Sequence, residues 1–95
     1  MSLLARFHRK RQDPEMARRA RLRSSGRIGQ ATVRDASRDT ASNLTIVYSY
    51  NIDGAEYESS QSIDDQQKQR EHDCLPGANI TIRYDPHRPG NSVVV

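Results

Sequence analysis

The 95-residue sequence has no tryptophan, one phenylalanine (Phe7) and one cysteine (Cys74). A lone cysteine excludes an internal disulfide and fits a reducing compartment. No apolar run is longer than three residues, as at Leu3-Leu4-Ala5 and Val93-Val94-Val95, far short of the roughly 18 that a membrane-spanning helix needs. A secretory leader is not expected, because residues 3–7 run at once into Arg9-Lys10-Arg11 where an apolar stretch would have to stand. Apolar residues make up 34% of the chain and aromatic ones 5%, with a mean hydropathy of -0.91. At this length a fold buries only about 60–65% of its unfolded surface. The sequence therefore carries material for one small core, and no large pocket for a small-molecule substrate is expected.

The patterns that carry chemistry are equally scarce. His8, His72 and His87 are scattered and no Cys-x-x-Cys occurs, so no metal site is expected. Asp64-Asp65 lacks the glycine and the 12-residue ligand spacing of a calcium loop. Gly26-x-x-Gly29 lacks the lysine of a phosphate loop and precedes a strand pattern, not a helix. His72-Asp73-Cys74 offers a base, an acid and a thiol, but consecutive residues point in different directions and catalytic groups must converge. The reading is of no catalytic residue, no cofactor and no enzyme, with Cys74 capping a small core beside Leu75.

What the sequence does have is charge, unevenly distributed. Residues 1–27 hold nine arginines and lysines against Asp13 and Glu15, a balance of +7. Residues 28–95 hold six basic and ten acidic side chains, a balance of -4. The net +3 of the whole chain therefore belongs to its first quarter. Asp13-Pro14-Glu15 predicts a helix start: a cap, a proline suited to the first turn, and an acid facing the positive end of the dipole. Residues 16–23 are strong helix formers, and Gly26 is expected to end the helix in a left-handed conformation. With only Met16, Ala17, Ala20 and Leu22 as apolar content, such a helix is expected to lie loosely on the body or to stand free.

From Arg27 onward the period changes to two. Gly29, Ala31 and Val33 alternate with polar residues as a first strand, and 36–42 read as a polar loop. Leu44, Ile46, Tyr48, Tyr50 and Ile52 share one face of the clearest strand, which runs into Asp53-Gly54, a type I′ hairpin signal. That turn sets Ile52 opposite Ala55, Tyr50 opposite Tyr57 and Tyr48 opposite Ser59, all on one surface. The four tyrosines share faces with Ile46, Ile52 and Ile82, so they are expected in the core and not as a base-stacking platform. Residues 64–73 have no apolar side chain and read as an exposed helix or a loop pinned by Ile63, Cys74 and Leu75. Pro76-Gly77 predicts a turn with Gly77 at positive φ. Ile80, Ile82 and Tyr84 make another strand, 85–90 a turn-rich connection, and 93–95 a short strand end. The fold class is mainly β: a small antiparallel sheet or partly closed barrel of about five strands over residues 26–95, preceded by a basic, partly helical or disordered arm over 1–25.

The order of these features resembles a bacterial domain-of-unknown-function family, number 3592. The matching elements, over about residues 26–95, are the first strand at Gly29–Val33, Tyr48-Ser49-Tyr50, Asp53-Gly54-Ala55-Glu56-Tyr57, the run from Leu75-Pro76-Gly77 to Tyr84-Asp85-Pro86, and Arg88-Pro89-Gly90-Asn91-Ser92-Val93-Val94. The resemblance implies a small β domain without known catalytic residues. It also implies frequent association with membranes through flanking spans, a pattern from which this basic N-terminal arm departs.

The arm is thus where function is expected. Arg9, Lys10, Arg11, Arg18, Arg19, Arg21 and Arg23 are the candidate contacts for an anionic partner, and Leu3, Leu4 and Phe7 those for lipid. The expected role is a non-catalytic interaction module, its partner a protein or an anionic surface reached through the arm. Peripheral attachment to anionic lipid is the alternative and nucleic-acid binding the third reading, while a solvated tail without partner competes with all of them. The expected location is the cytoplasm, with the membrane surface as the second possibility.

Overall fold

A tyrosine-bearing hairpin organises the architecture. The computed structural model describes residues 14–63 and 72–95. A helix, α1 (Pro14–Ser25), precedes five strands: β1 (Arg27–Arg38), β2 (Leu44–Ile52), β3 (Ala55–Ser62), β4 (Asn79–Asp85) and β5 (Arg88–Val94). All neighbours are antiparallel in the order β3-β2-β1-β4-β5. The sheet curls into a nearly closed barrel, the expected class.

Asp53 (φ 53°) and Gly54 (φ 87°) are both left-handed, as a type I′ turn requires. The register is Ile52 opposite Ala55, Tyr50 opposite Tyr57 and Tyr48 opposite Ser59, as the sequence predicts. The Tyr50 and Tyr57 rings stack with centroids 5.6 Å apart. A Cβ at position 54 would meet no atom within 4 Å, so the effect of a valine there falls mainly on the backbone. Gly54→Val is expected to lose about 1–3 kcal/mol through positive φ, read as a shift in the urea midpoint. An unchanged midpoint would show that the turn does not fix the hairpin.

β1 is longer than the sequence suggests. The stretch 36–42 is not a loop: the strand runs to Arg38, and only 39–43 connect it to β2. Asp39 organises that connection by accepting from the amides of Ala41 and Asn43, each at 2.9 Å. A bulge hides the continuity. Val33 faces Tyr48, but Asp35 faces Val47, leaving Arg34 as the extra residue. One inserted residue reverses the parity, so the inward set Ala31 and Val33 continues at Ala36, which packs against the core. Arg34 is thrown across the outer face, where Nε donates to Ser49 Oγ at 2.7 Å.

The barrel interior is filled by Ala31, Val33, Leu44, Ile46, Tyr48, Tyr50, Ile80, Ile82 and Val94, with Ile63 and Cys74 at one end. The tyrosines are core residues: Tyr48, Tyr50 and Tyr84 are buried and Tyr57 half-buried. Cys74 is buried as expected, whereas Leu75 is 61% exposed and caps nothing. Gly77 has φ 93°, as its turn predicts. Most of 64–73, the apolar-free stretch, lies outside the described residues.

The connection predicted over 85–90 shrinks to a two-residue turn, Pro86-His87, and Pro89 lies in β5. This agrees with proline's exclusion from central strands, because β5 is at the edge of the sheet. Gly26 ends α1 differently from expectation. It is not left-handed; its amide donates to Leu22 O at 2.7 Å, and a Cβ there would sit 2.5 Å from that same oxygen. Glycine is required by close approach, not by handedness. Nor is the helix loose: Arg19 and Leu22 are both buried.

Candidate functional site

Curling the sheet brings β3 and β5, its two edges, alongside each other without a backbone ladder. An unpaired edge leaves donors and acceptors that must be satisfied. In β5 the direction of these groups follows from the pairing. Val95 N donates to Thr81 O at 3.1 Å, so the odd residues there turn their backbone to β4. Ser92 and Val94 turn theirs towards the gap.

Side chains close that gap. Gln61 of β3 is buried, and its Oε1 accepts from Val94 N at 2.9 Å. Tyr48 OH and Ser92 Oγ share a buried hydrogen bond of 2.8 Å. Tyr50 OH donates to the carbonyl of Pro89, and burial pushes the Tyr50 phenol above its ordinary value. β5 is shaped for this. Tyr84 faces Ser92 and Asp85 faces Arg88, so Pro89, Gly90 and Asn91 bow out, with Gly90 beside the Tyr57 ring.

α1 completes the seam. Its Glu15 carboxylate accepts from Arg18 Nε (2.9 Å) and Nη2 (2.8 Å), and from Arg19 Nε (2.7 Å). The bidentate fork leaves Arg18 Nη1 aimed at β5, where it donates to Asn91 Oδ1 and to the carbonyl of Ser92, each at 2.8 Å. Arg19 Nη2 reaches β3 at Ser62 Oγ, 3.4 Å away. Neighbouring arginines on one helix therefore grip opposite lips of the seam, while Leu22 is buried three residues further on. At the helix end Arg83 Nη1 donates to Gly26 O at 2.9 Å.

Electrostatics follow the geometry. The hydrogen bond from Arg18, joined by that from Arg19, holds the Glu15 carboxyl down from 4.5 to about 2. The same bond raises the Arg18 guanidinium above its ordinary value. A depressed carboxyl stabilises the fold fully above its ordinary value, and that contribution is lost as pH falls towards the folded value. Tm is therefore expected to fall between about pH 4.5 and 2. Glu15→Gln should begin lower at neutral pH and fall less through that window. Parallel curves for the two proteins would remove Glu15 from the account.

The sequence candidates are thus divided. Leu3, Leu4, Phe7, Arg9, Lys10 and Arg11 lie outside the described residues. Arg18 and Arg19 are committed to Glu15 and the strands; Arg23 is half-buried; Arg21 is exposed. Gln61, Asn91 and Ser92, which carry the seam, are not among the sequence candidates. Gln61 was within reach, because extending the hairpin register two residues past Ser59 sets it on the inner face. Among the described residues, no group of three or more His, Cys, Asp or Glu side chains is placed to hold a metal. His72 and Asp73 form an exposed pair at 3.3 Å. No helix of the described residues is long and apolar enough to cross a membrane.

The family model described as a domain of unknown function, DUF3592, matches residues 13–95. The match takes in α1 together with the barrel. No curated protein matches, and no solved structure does. The chain belongs to the DUF3592 family.

Proposed function

We propose that this DUF3592 member is a non-catalytic binding module that engages an anionic partner through its cationic N-terminal segment. The observation that supports this is the fixing of α1. Glu15, Arg18 and Arg19 bolt the helix across the seam, so the segment is tethered at a defined point on a body whose own balance is negative. Arg11 stands three residues before Pro14, a reach of at most about 11 Å along the chain. Arg9, Lys10 and Arg11 come just before the helix in the chain, and Arg21 adds an exposed charge on it. Opposed charge on segment and body orients an approaching polyanion and raises its on-rate.

The test compares two variants against anionic vesicles and a short DNA duplex at low and high salt. One combines Arg9→Ala, Lys10→Ala and Arg11→Ala; the other combines Leu4→Ser and Phe7→Ser. Arg18 and Arg19 are left intact, since their loss would unfold the seam. Salt-sensitive binding that the alanine variant loses while keeping its Tm is the expected result. If the serine variant also loses vesicle binding, the partner is a lipid surface. Absence of salt-sensitive binding to either probe would overturn the proposal.

A further inference from the structure

A groove of about 270 Å³ lies between α1 and the β4–β5 turn, with Arg18, Arg21 and Leu22 on the helix side and Asp85, His87 and Asn91 on the other. Its charges are of both signs, and those of Arg21 and Asp85 are not spent on each other or on a neighbouring ion pair among the described residues. The Arg21 guanidinium has no partner among the described residues; only its carbonyl is engaged, by the hydroxyls of Ser24 and Ser25. Asp85 accepts from His87 N through Oδ1 at 2.8 Å, which leaves Oδ2 without a partner among the described residues. Arg18 spends four of its five N–H groups on Glu15, Asn91 Oδ1 and Ser92 O, and its charge is balanced by Glu15, so it offers the groove little net charge but fixes the Asn91 amide. With that oxygen taken, the Asn91 NH₂ remains as a donor.

We infer that this groove binds a small zwitterion, its acidic group on Arg21 and the Asn91 amide and its ammonium on Asp85. A bare anion meets Asp85 and the negative end of α1, both unfavourable. A bare cation meets Arg21. A molecule with an acid and an N–H-bearing ammonium a few bonds apart satisfies both sides. The volume sits below the roughly 300–1,000 Å³ usual for ligand pockets, which suits a headgroup or an amino acid and not a nucleotide. The groove has one wall from the helix and one from the sheet, so a ligand filling it also fastens α1 to the barrel and stabilises the fold by linkage. The groove shares Arg21 with the cationic set but not Arg9, Lys10 or Arg11, and it carries no reaction.

The test titrates the full chain with phosphoethanolamine and follows backbone amides by NMR. Phosphocholine, inorganic phosphate and ethylammonium serve as comparison probes. Saturable shifts confined to residues 21–26 and 85–91 are expected, with affinity about tenfold lower for phosphate or ethylammonium alone and for phosphocholine, which has no N–H to give Asp85. Arg21→Gln and Asp85→Asn should each weaken phosphoethanolamine about tenfold while leaving Tm of the free protein nearly unchanged. Cosedimentation with phosphatidylethanolamine vesicles that depends on Asp85 assigns the zwitterion to lipid; binding of the soluble compound alone assigns it to a free metabolite. Equal affinity for inorganic phosphate, tighter binding by Asp85→Asn, or no shift with any probe would overturn the inference.

Discussion

Arg18→Ala is expected to destabilise the domain by about 2–4 kcal/mol, out of a total of about 5–15 kcal/mol for a domain of this kind. The substitution removes three functions at once. Glu15 loses its bidentate partner, Asn91 its anchor on the bowed part of β5, and the buried Ser92 carbonyl an acceptor role that water does not readily replace. Hydrogen bonds to a charged group contribute about 1.5–3 kcal/mol each where they are shielded, but they share one side chain and do not add. With about 4–8 °C per kcal/mol at this size, Tm should fall by roughly 8–30 °C. Arg18→Lys separates charge from shape. Lysine keeps the charge and loses the planar fork, so it is expected to recover less than half of the loss. A full recovery would mean that only the positive charge matters.

The second large effect is expected at Gln61. Gln61→Leu keeps the approximate volume and apolar contact but withdraws the acceptor from the Val94 amide in a buried setting. Leaving such a donor unsatisfied costs about 1–3 kcal/mol. The damage should also be local: hydrogen exchange of the Val94 amide is expected to accelerate more than that of amides in the β1–β2 ladder. Gln61→Glu keeps an acceptor yet buries a carboxylate, so it should be destabilised at neutral pH and partly rescued as pH falls. Uniform acceleration in every strand would make Gln61 a generic core residue and not the clasp between two edges.

These two residues show how differently the sequence exposes its parts. Strand alternation and turn chemistry agree from Leu44 to Ser59, so hairpin and register were legible down to the Tyr50–Tyr57 pair. The C-terminal half of β1 was not, because the single inserted residue Arg34 shifts Ala36 out of phase with Val33, and a broken period looks like a loop. β5 was masked similarly by Pro89 and Gly90, which are turn residues in most settings but suit a bowed edge strand. The arginine run read as a set of contacts for an anionic partner, or as a solvated tail, because its apolar residues are few. What escapes a one-dimensional reading is that Glu15, three and four residues before Arg18 and Arg19, pre-orients both guanidinium groups. Two unpaired edges then supply acceptors at the distance those arginines can reach. The zwitterion groove lay further still from the sequence, since Arg21 and Asp85 are brought together only by docking the helix.

The central claim is that α1 is a structural clasp on the barrel seam and that Arg18 acts through β5. A double-mutant cycle between Arg18→Ala and Asn91→Ala, measured by urea unfolding, tests it most directly. Asn91 is half-buried and 73 residues away in sequence, so coupling between the two positions can arise only in the folded, clasped state. The account predicts a coupling energy of about 1 kcal/mol or more. Additivity of the two single losses to within about 0.3–0.5 kcal/mol would contradict it, and would return Arg18 to the solvated face of a helix.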